Sequence, residues 1–263
     1  GAGPAGLSTA ITAAQCGHKV TVFEKSDEIG GQLNLAKRVP GKEEFWGLLK
    51  WFEAMLEELS VRVIFRHKMQ YSDFSRYDEI VVATGVIPRD PEIPGQECDI
   101  VSNYIEILSG KVLAGERVAV IGAGGIGFDV AEFLVHQEGQ NLSRNISKWM
   151  EEWGVTDPEI IRGGLVKEGP KPSPPAREVI LLQRNSEKHG KRLGKTTGWI
   201  HRSSLKMKKV EMIGGVNYER IDEDGLAISF GKEREGYQKI KADNVVVCTG
   251  QVSENSAAEA FQK

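Results

Sequence analysis

Cysteine is scarce in this 263-residue chain, and the three present, Cys16, Cys98 and Cys248, lie far apart. That spacing excludes a disulfide framework and the close pairs used by zinc or iron-sulfur sites, and it suits buried thiols in a reducing cytosol. An excess of one charge is missing too. Thirty-four Lys and Arg against 37 Asp and Glu leave a net charge of -3, with no basic stripe for nucleic acid and no polybasic run for an anionic membrane. No apolar run approaches the ~20 residues that span a bilayer, and no charged-then-apolar leader precedes Gly1. These absences predict a soluble, cytoplasmic chain whose partners are small molecules. An initiator Met is also lacking, which fits a fragment better than a natural start. The length suits one large or two medium domains.

Glycine is placed with more purpose. The chain opens with "GAGPAGLSTAITAAQCGHKVTVFEK", in which Gly1, Gly3 and Gly6 form G-x-G-x-x-G. Glycines at this spacing permit a tight turn, close backbone approach to a pyrophosphate, and close packing of helix on strand. A helix is predicted from about Pro4 to Gln15, with Pro4 tolerated in its first turn, small alanines for close packing and Gly17 as its stop. "HKVTVFEK" reads as a strand ending in Glu24, roughly 20 residues beyond the turn, where a carboxylate can accept ribose hydroxyls. "EIGGQL" then places Gly30 and Gly31, followed by Gln32, where phosphates or a ring need bare backbone nearby. Such a turn normally follows a buried strand, and nothing precedes Gly1.

The pattern recurs with its strand in place. "RVAVIGAGGIGFDVAEFL" carries Gly122, Gly124 and Gly127, with Gly125 and Ile126 inside the turn, and opens a helix from about Ile126 to His136. The usual spacing to the next strand then breaks. "GPKPSPPA" at 169–176 can neither continue a helix nor donate to a ladder, so most of 140–176 is expected to leave the core as an excursion. "REVILLQRN" resumes the sheet and ends in Gln183 and Arg184 with no acid at its tip. A carboxylate there would repel a 2'-phosphate whereas an arginine can pair with it, so the pattern favours NADP over NAD.

Other segments are coarser. Residues 42–60 carry an amphipathic stripe of Phe45, Leu48, Leu49, Phe52, Met55, Leu56 and Leu59, in which Trp46 and Trp51 are expected to pack rather than stack on a cofactor. Residues 61–65 read as the next strand, and Asp224-Gly225 as a hairpin turn. Thr196 or Thr197 is expected to cap a helix running through Trp199 and Leu205. "DEIVVATG" at 78–85 and "ADNVVVCTG" at 242–250 read as buried strands ending in small turns.

This pairing of strand-then-T-G segments around a second glycine turn resembles the two-dinucleotide-binding flavoprotein superfamily. The resemblance implies an α/β chain of two Rossmann-like domains: an FAD-binding domain at 1–114 lacking its first strand, an NAD(P)H-binding domain at 115–250, and a truncated return to the FAD domain at 251–263. It adds Thr84 and Gly85 to the cofactor-binding residues. A narrower similarity, over "DPEIPGQECDIVSNYIEILSGK" at 90–111, "AEFLVHQEG" at 131–139, "KWMEEWGV" at 148–155 and "LGKTTGWIHRSSL" at 193–205, is to the C-terminal half of the bacterial NADPH-dependent 2,4-dienoyl-CoA reductases. In that family an N-terminal barrel holds FMN, a 4Fe-4S cluster and the acyl-CoA substrate, while NADPH reduces FAD in the C-terminal half.

The resemblance thus implies FAD and NADPH as the cofactors of this chain, with FMN, the cluster and acyl-CoA belonging to the absent barrel. Gly1, Gly3 and Gly6 would take the FAD pyrophosphate, Glu24 its ribose, and Gly31 and Gln32 the flavin side. Gly122, Gly124, Gly125, Ile126 and Gly127 would take the NADPH pyrophosphate and Arg184 the 2'-phosphate, with Lys195, Thr197 and His201 as weaker candidates. No residue is expected to act as catalytic acid or base, because in that family the proton donors lie in the absent barrel and the cofactors carry the hydride, and the lack of a cysteine cluster leaves no metal ligand expected. A flavin-linked disulfide reductase is disfavoured by the missing cysteine pair. An electron-donor flavoprotein of the glutamate synthase small-subunit type and a non-enzymatic nucleotide-binding module stay open.

Overall fold

Two α/β units build the chain in the computed structural model, which describes residues 1–70, 73, 75–137 and 145–261. One unit is Gly1–Arg38, Lys42–Arg89 and Gln251–Lys263, and the other is Val39–Gly41 and Asp90–Gly250. The first residues of the expected excursion, 140–144, and the last two of the closing segment, 262–263, lie outside the described residues, as do 138 and 139.

In the first unit small side chains let a helix, Pro4–Gln15, press Leu7, Ala10 and Ile11 into the interior. Strand β1 (Thr21–Phe23) pairs in parallel with β2 (Arg62–Ile64), Val22 opposite Val63. Parallel strands need a long crossover, and the helix Phe45–Glu58 supplies it, burying Leu49, Phe52 and Leu56. Leu7, Ile11, Val22, Ile29, Phe52 and Leu56 share one core cluster, with Leu48, Met55 and Leu59 packed against it. The stripe thus faces inward as the 3.6-residue period requires. Trp46 and Trp51 face out instead, half exposed, with the Lys37 ammonium 4.1 Å from the Trp46 ring and Trp51 tilted against Phe52.

One expected strand is not there. Residues 78–85 form no ladder with any described strand, and Val81 and Val82 are 65% and 41% exposed. A strand exists only through a neighbour's hydrogen bonds, and among the described residues β1 and β2 pair only with each other. The chain then continues into β3 (Val86–Pro88), antiparallel to β12 (Gln251–Ser253) with Pro88 opposite Gln251. Proline cannot donate to a ladder and so suits such an edge.

The second unit has a five-stranded parallel sheet in the order β4-β11-β5-β6-β7, comprising β4 (Val101–Asn103), β5 (Arg117–Ile121), β6 (Glu178–Gln183), β7 (Glu211–Gly214) and β11 (Asn244–Val247). Val118 to Ile121 are all buried, as in a parallel strand covered on both faces. The antiparallel strands β8 (Val216–Asp222), β9 (Gly225–Phe230) and β10 (Glu235–Lys241) form a meander whose Ile221, Leu226 and Ile228 share a cluster with Ala119, Ile121 and Leu182. The helices Tyr104–Ser109, Gly125–Val135 and Gly198–Met207 complete this unit's packing. The sequence draws a boundary at 114; the units instead divide at Arg89 and Asp90, because β4 joins the second sheet beside β11 and carries residues 90–114 with it.

Two local readings shift. The β8–β9 turn is Glu223-Asp224, with Asp222 opposite Gly225, so Gly225 opens β9 rather than sitting in the turn. Its φ is 142°, and a Cβ there would lie 2.0 Å from the Ile240 carbonyl oxygen. Thr197 occupies the N-cap position of Gly198–Met207, but its side chain makes no capping hydrogen bond, because its φ and ψ of -112° and -20° are already helical.

The excursion is anchored by buried charge. Its helix, Ile146–Trp153, carries Glu152, which pairs with Lys208; both side chains are under a tenth exposed. The Lys208 ammonium also donates to Ser173 Oγ (2.7 Å) and Ser173 O (3.2 Å). Nearby Glu132, buried on Gly125–Val135, accepts from Ser204 Oγ at 3.1 Å and lies 3.5 Å from His136 Nδ1. Burial pushes the Glu132 pKa up to about 7; Ser204 and Lys208 oppose this, while Asp129 and Glu152 add to it. An acid whose folded pKa exceeds its unfolded value takes up a proton on folding, so stability falls as pH rises from the unfolded pKa to about 7. Glu132→Gln, neutral throughout, should therefore gain stability relative to the parent on passing from about pH 4.5 to about pH 8, by up to about 3 kcal/mol. Urea denaturation of both proteins across that range checks it, and parallel curves would refute it.

Candidate nucleotide-binding sites

Each glycine turn is held by contacts a side chain would break. In the second unit, a Cβ on Gly127 would lie 1.7 Å from the Gly122 carbonyl oxygen, so the helix start packs onto the strand end only with hydrogen at 127. Gly122 itself has φ 106°, and its Cβ would meet Cys248 O at 2.4 Å, where β11 ends alongside. Gly124 and Gly125 are different. They are exposed, and a Cβ on either would meet nothing within 4 Å. Gly124 is the N-cap, and no side chain caps it. The first N–H groups of the helix thus face open space, with Ile126 half-buried between them, and the helix dipole favours an anion there.

The first unit repeats this division of labour. A Cβ on Gly6 would lie 1.9 Å from Gly1 O, and one on Gly1 2.3 Å from Ala83 O, whereas one on Gly3 would meet nothing. Both turns therefore fit a pyrophosphate, in that the middle glycine leaves a cradle a methyl group would begin to fill. The structure also brings the later glycines to this turn: Gly30 N donates to Ala2 O at 2.7 Å, and Gly31, at φ 52°, would set a Cβ 3.1 Å from Gly3 Cα. Gln32 follows as the N-cap of a short helix, Leu33–Ala36, and its Oε1 accepts from Gln251 Nε2 at 3.3 Å.

Glu24 lies just beyond β1 with 8% exposure. Its Oε2 accepts from Ala2 N at 2.6 Å and its Oε1 from Ser26 N and Oγ, both at 2.9 Å. Burial raises its pKa, but the Ser26 and Ala2 donors outweigh burial and hold the carboxyl below its usual range. Three of about four acceptor positions are thus used on the protein itself, leaving about one for a ribose hydroxyl. Thr84 Oγ1 donates to Glu254 O, and Gly85 O accepts from Glu254 N, so the T-G turn is tied to the returning chain beyond β12.

At the tip of β6, Arg184 is exposed and close enough to Tyr218 to oppose the upward pKa shift that burial imposes on that phenol. The sequence shows no acid at this tip, but folding brings one. Gln183 Nε2 donates to Asn185 O (2.9 Å) and to Glu187 O, and Gly215 N donates to Asn185 O (3.0 Å), so residues 184–187 curl back over the strand ends. Glu187 was concealed by its distance of three residues from Arg184; the turn-forming Asn185-Ser186 pair was the available signal. Of the weaker candidates, Lys195 is exposed and His201 half-buried within Gly198–Met207. Among the described residues no His, Cys, Asp and Glu group could hold a metal, and no helix is long and apolar enough to cross a membrane.

The two kinds of glycine should separate on substitution. Gly124→Ala, with free space for its methyl, should keep the melting temperature within about 2 °C, consistent with a substitution that meets no neighbour, and lose nucleotide affinity. Gly127→Ala should lower stability by about 2 kcal/mol or more through the Gly122 clash. Thermal denaturation with nucleotide titration distinguishes them; equal destabilisation by both would show that the cradle is not open.

The family model for pyridine nucleotide-disulphide oxidoreductases matches residues 1–262. The metal reductase of Desulforamulus reducens is 30% identical over 269 residues, covering 100% of this chain and 38% of that protein. The cinnamate reductase of Clostridium sporogenes is 35% identical over 145 residues, 52% of this chain and 21% of that protein. A solved 2-naphthoyl-CoA reductase complex superimposes with a TM-score of 0.78 at 26% identity, over 99% of this chain and 34% of that one. The chain therefore spans well under half the length of these relatives. With two glycine turns fit for dinucleotides and a family match over nearly its whole length, the chain belongs to the pyridine nucleotide-disulphide oxidoreductase family, which implies FAD and NAD(P)H as its cofactors.

Proposed function

We propose that this chain is the NADPH-oxidising, FAD-reducing part of a larger reductase of the 2,4-dienoyl-CoA type. The observation that carries the reading is the pair of open glycine cradles, Gly3 in one unit and Gly124 in the other, each at a helix N-terminus. When bound, the two cofactors supply hydride transfer from nicotinamide to flavin. The protein's residues bind and orient. Gly1, Gly3 and Gly6 would receive the FAD pyrophosphate, Glu24 a ribose hydroxyl, and Gly31, Gln32, Thr84 and Gly85 the flavin side. Gly122, Gly124, Gly125, Ile126 and Gly127 would receive the nicotinamide dinucleotide's pyrophosphate, and Arg184 a 2'-phosphate.

Disulphide chemistry is not part of this reading. The three cysteines are free; against the expectation of buried thiols Cys16 is exposed and Cys98 half-buried, while Cys248 is buried with its thiol pKa pushed up by that burial. The named acceptors of the relatives differ: metal, cinnamate and a naphthoyl-CoA. A shared module beside different acceptors suggests that the acceptor is chosen elsewhere in each protein. A dienoyl-CoA acceptor, with FMN and a 4Fe-4S cluster in a barrel outside residues 1–263, rests on the resemblance at 193–205 and its companion segments.

The 263-residue chain should hold FAD weakly, turning yellow only when FAD is added in excess, and Arg184→Ala should weaken NADPH binding by about 1 to 3 kcal/mol while leaving NADH nearly unchanged. Absorbance near about 450 nm, the flavin band supplied by the cofactor, and parallel titrations check both. Colourless protein that takes up no added FAD would leave a nucleotide-binding module without redox chemistry.

A further inference from the structure

We propose that Glu187 sets how strongly the second nucleotide site discriminates NADPH from NADH, holding the preference for NADPH below what its neighbouring basic residues would give. This rests on the reading that the adenosine end of a nucleotide held at Gly122–Gly127 is recognised at the tip of β6, as the Rossmann arrangement places it.

Glu187 at that tip is held by three contacts, two of them to its carboxylate. Glu187 N donates to Asn185 Oδ1 at 2.9 Å, Asn185 Nδ2 returns a bond to Glu187 Oε2 at 3.0 Å, and Lys191 Nζ pairs with Oε1. The backbone is fixed as well, since Gln183 Nε2 reaches both Asn185 O and Glu187 O. Lys191, then the Asn185 amide and the Arg192 cation, hold the carboxyl below its ordinary pKa, so it is an anion at neutral pH.

Its surroundings are basic. Between Arg184 and Lys195 the chain carries Arg184, Lys188, Lys191, Arg192 and Lys195, against Glu187 alone. That carboxylate does two things to an arriving 2'-phosphate. It repels the dianion directly, and it occupies the ammonium of Lys191, which would otherwise be free to approach the phosphate. A ribose carrying a free 2'-hydroxyl has no such penalty, and the carboxylate's remaining lone pairs can accept from it. The site is thereby balanced: Arg184 draws the phosphate and Glu187 limits the gain.

Glu187→Gln keeps the side chain's length and its capacity to accept from Asn185 while removing the charge and releasing Lys191. Because the site is exposed and solvent-screened, the expected change is modest. With the full chain, NADPH and NADH are titrated separately, and binding is followed by calorimetry or nucleotide fluorescence. NADPH should tighten by about 3- to 10-fold in Glu187→Gln and NADH should not, a range set by screened charge interactions at an exposed site. Lys191→Met should change NADPH affinity little in the parent and abolish most of the gain in Glu187→Gln, a coupling that a purely structural role would not produce. Arg184→Ala separates the two readings. If it weakens NADPH while Glu187→Gln leaves the NADPH-to-NADH ratio unchanged, the role of Glu187 is refuted and the site stands. Should Arg184→Ala be silent while Glu187→Gln raises the ratio, Glu187 is the determinant and Arg184 is not. If both are silent, both assignments fall.

Discussion

A carbonyl oxygen lying where a side chain would have to be is the constraint beneath both halves of this molecule. In each unit the oxygen of the first glycine sits against the third, with no room for a Cβ between Gly1 and Gly6 or between Gly122 and Gly127. In the second unit that contact brings the start of the helix Gly125–Val135 to the end of β5, where the first N–H groups of a helix lack partners within it. In the second unit the strand end is itself set by sheet order, since β11 delivers Cys248 O against Gly122. The cradle is therefore made of backbone, and its shape follows from packing distances rather than from any polar side chain.

The charged groups in the second unit answer to a different constraint. Lys208 and Glu152 are buried yet paired, with Ser173 satisfying the remaining donors of the ammonium. Removing one member of such a pair strands the other charge in a low-dielectric interior. The pair thus makes the position of the excursion helix depend on the helix Gly198–Met207, and that dependence is stricter than an apolar contact would impose. Glu132 nearby is buried as well, and burial outweighs the opposing Ser204 hydrogen bond and Lys208 charge, so it keeps its proton to higher pH.

Much of this was legible in the residues themselves. The helix Pro4–Gln15 has the bounds its proline and Gly17 suggest, and the stripe at 45–59 buries the side its period marks. Glu24, Gly31 and the first turn do gather in one place. What was hidden depended on contacts distant in sequence. Residues 78–85 look like a buried strand by composition, but a strand needs a neighbour, and composition does not provide one. Residues 90–114 went to the second unit because of one pairing, β4 with β11, which no local pattern announces. Glu187 reached the tip of β6 only through a loop closed by the Gln183 side chain. The burial of Lys208 was equally unreadable, since a lysine near a helix end is ordinarily solvated.

The short ladder of β3 with β12 has an architectural meaning. Because Pro88 stands opposite Gln251, the stretch from Asp90 to Gly250 leaves and re-enters the first unit at neighbouring points. A segment whose two ends meet in this way is topologically an insertion, and closing its ends costs little chain entropy. In genetic terms residues 90–250 have the form of a cassette, a single continuous segment whose two seams with the rest of the chain lie side by side.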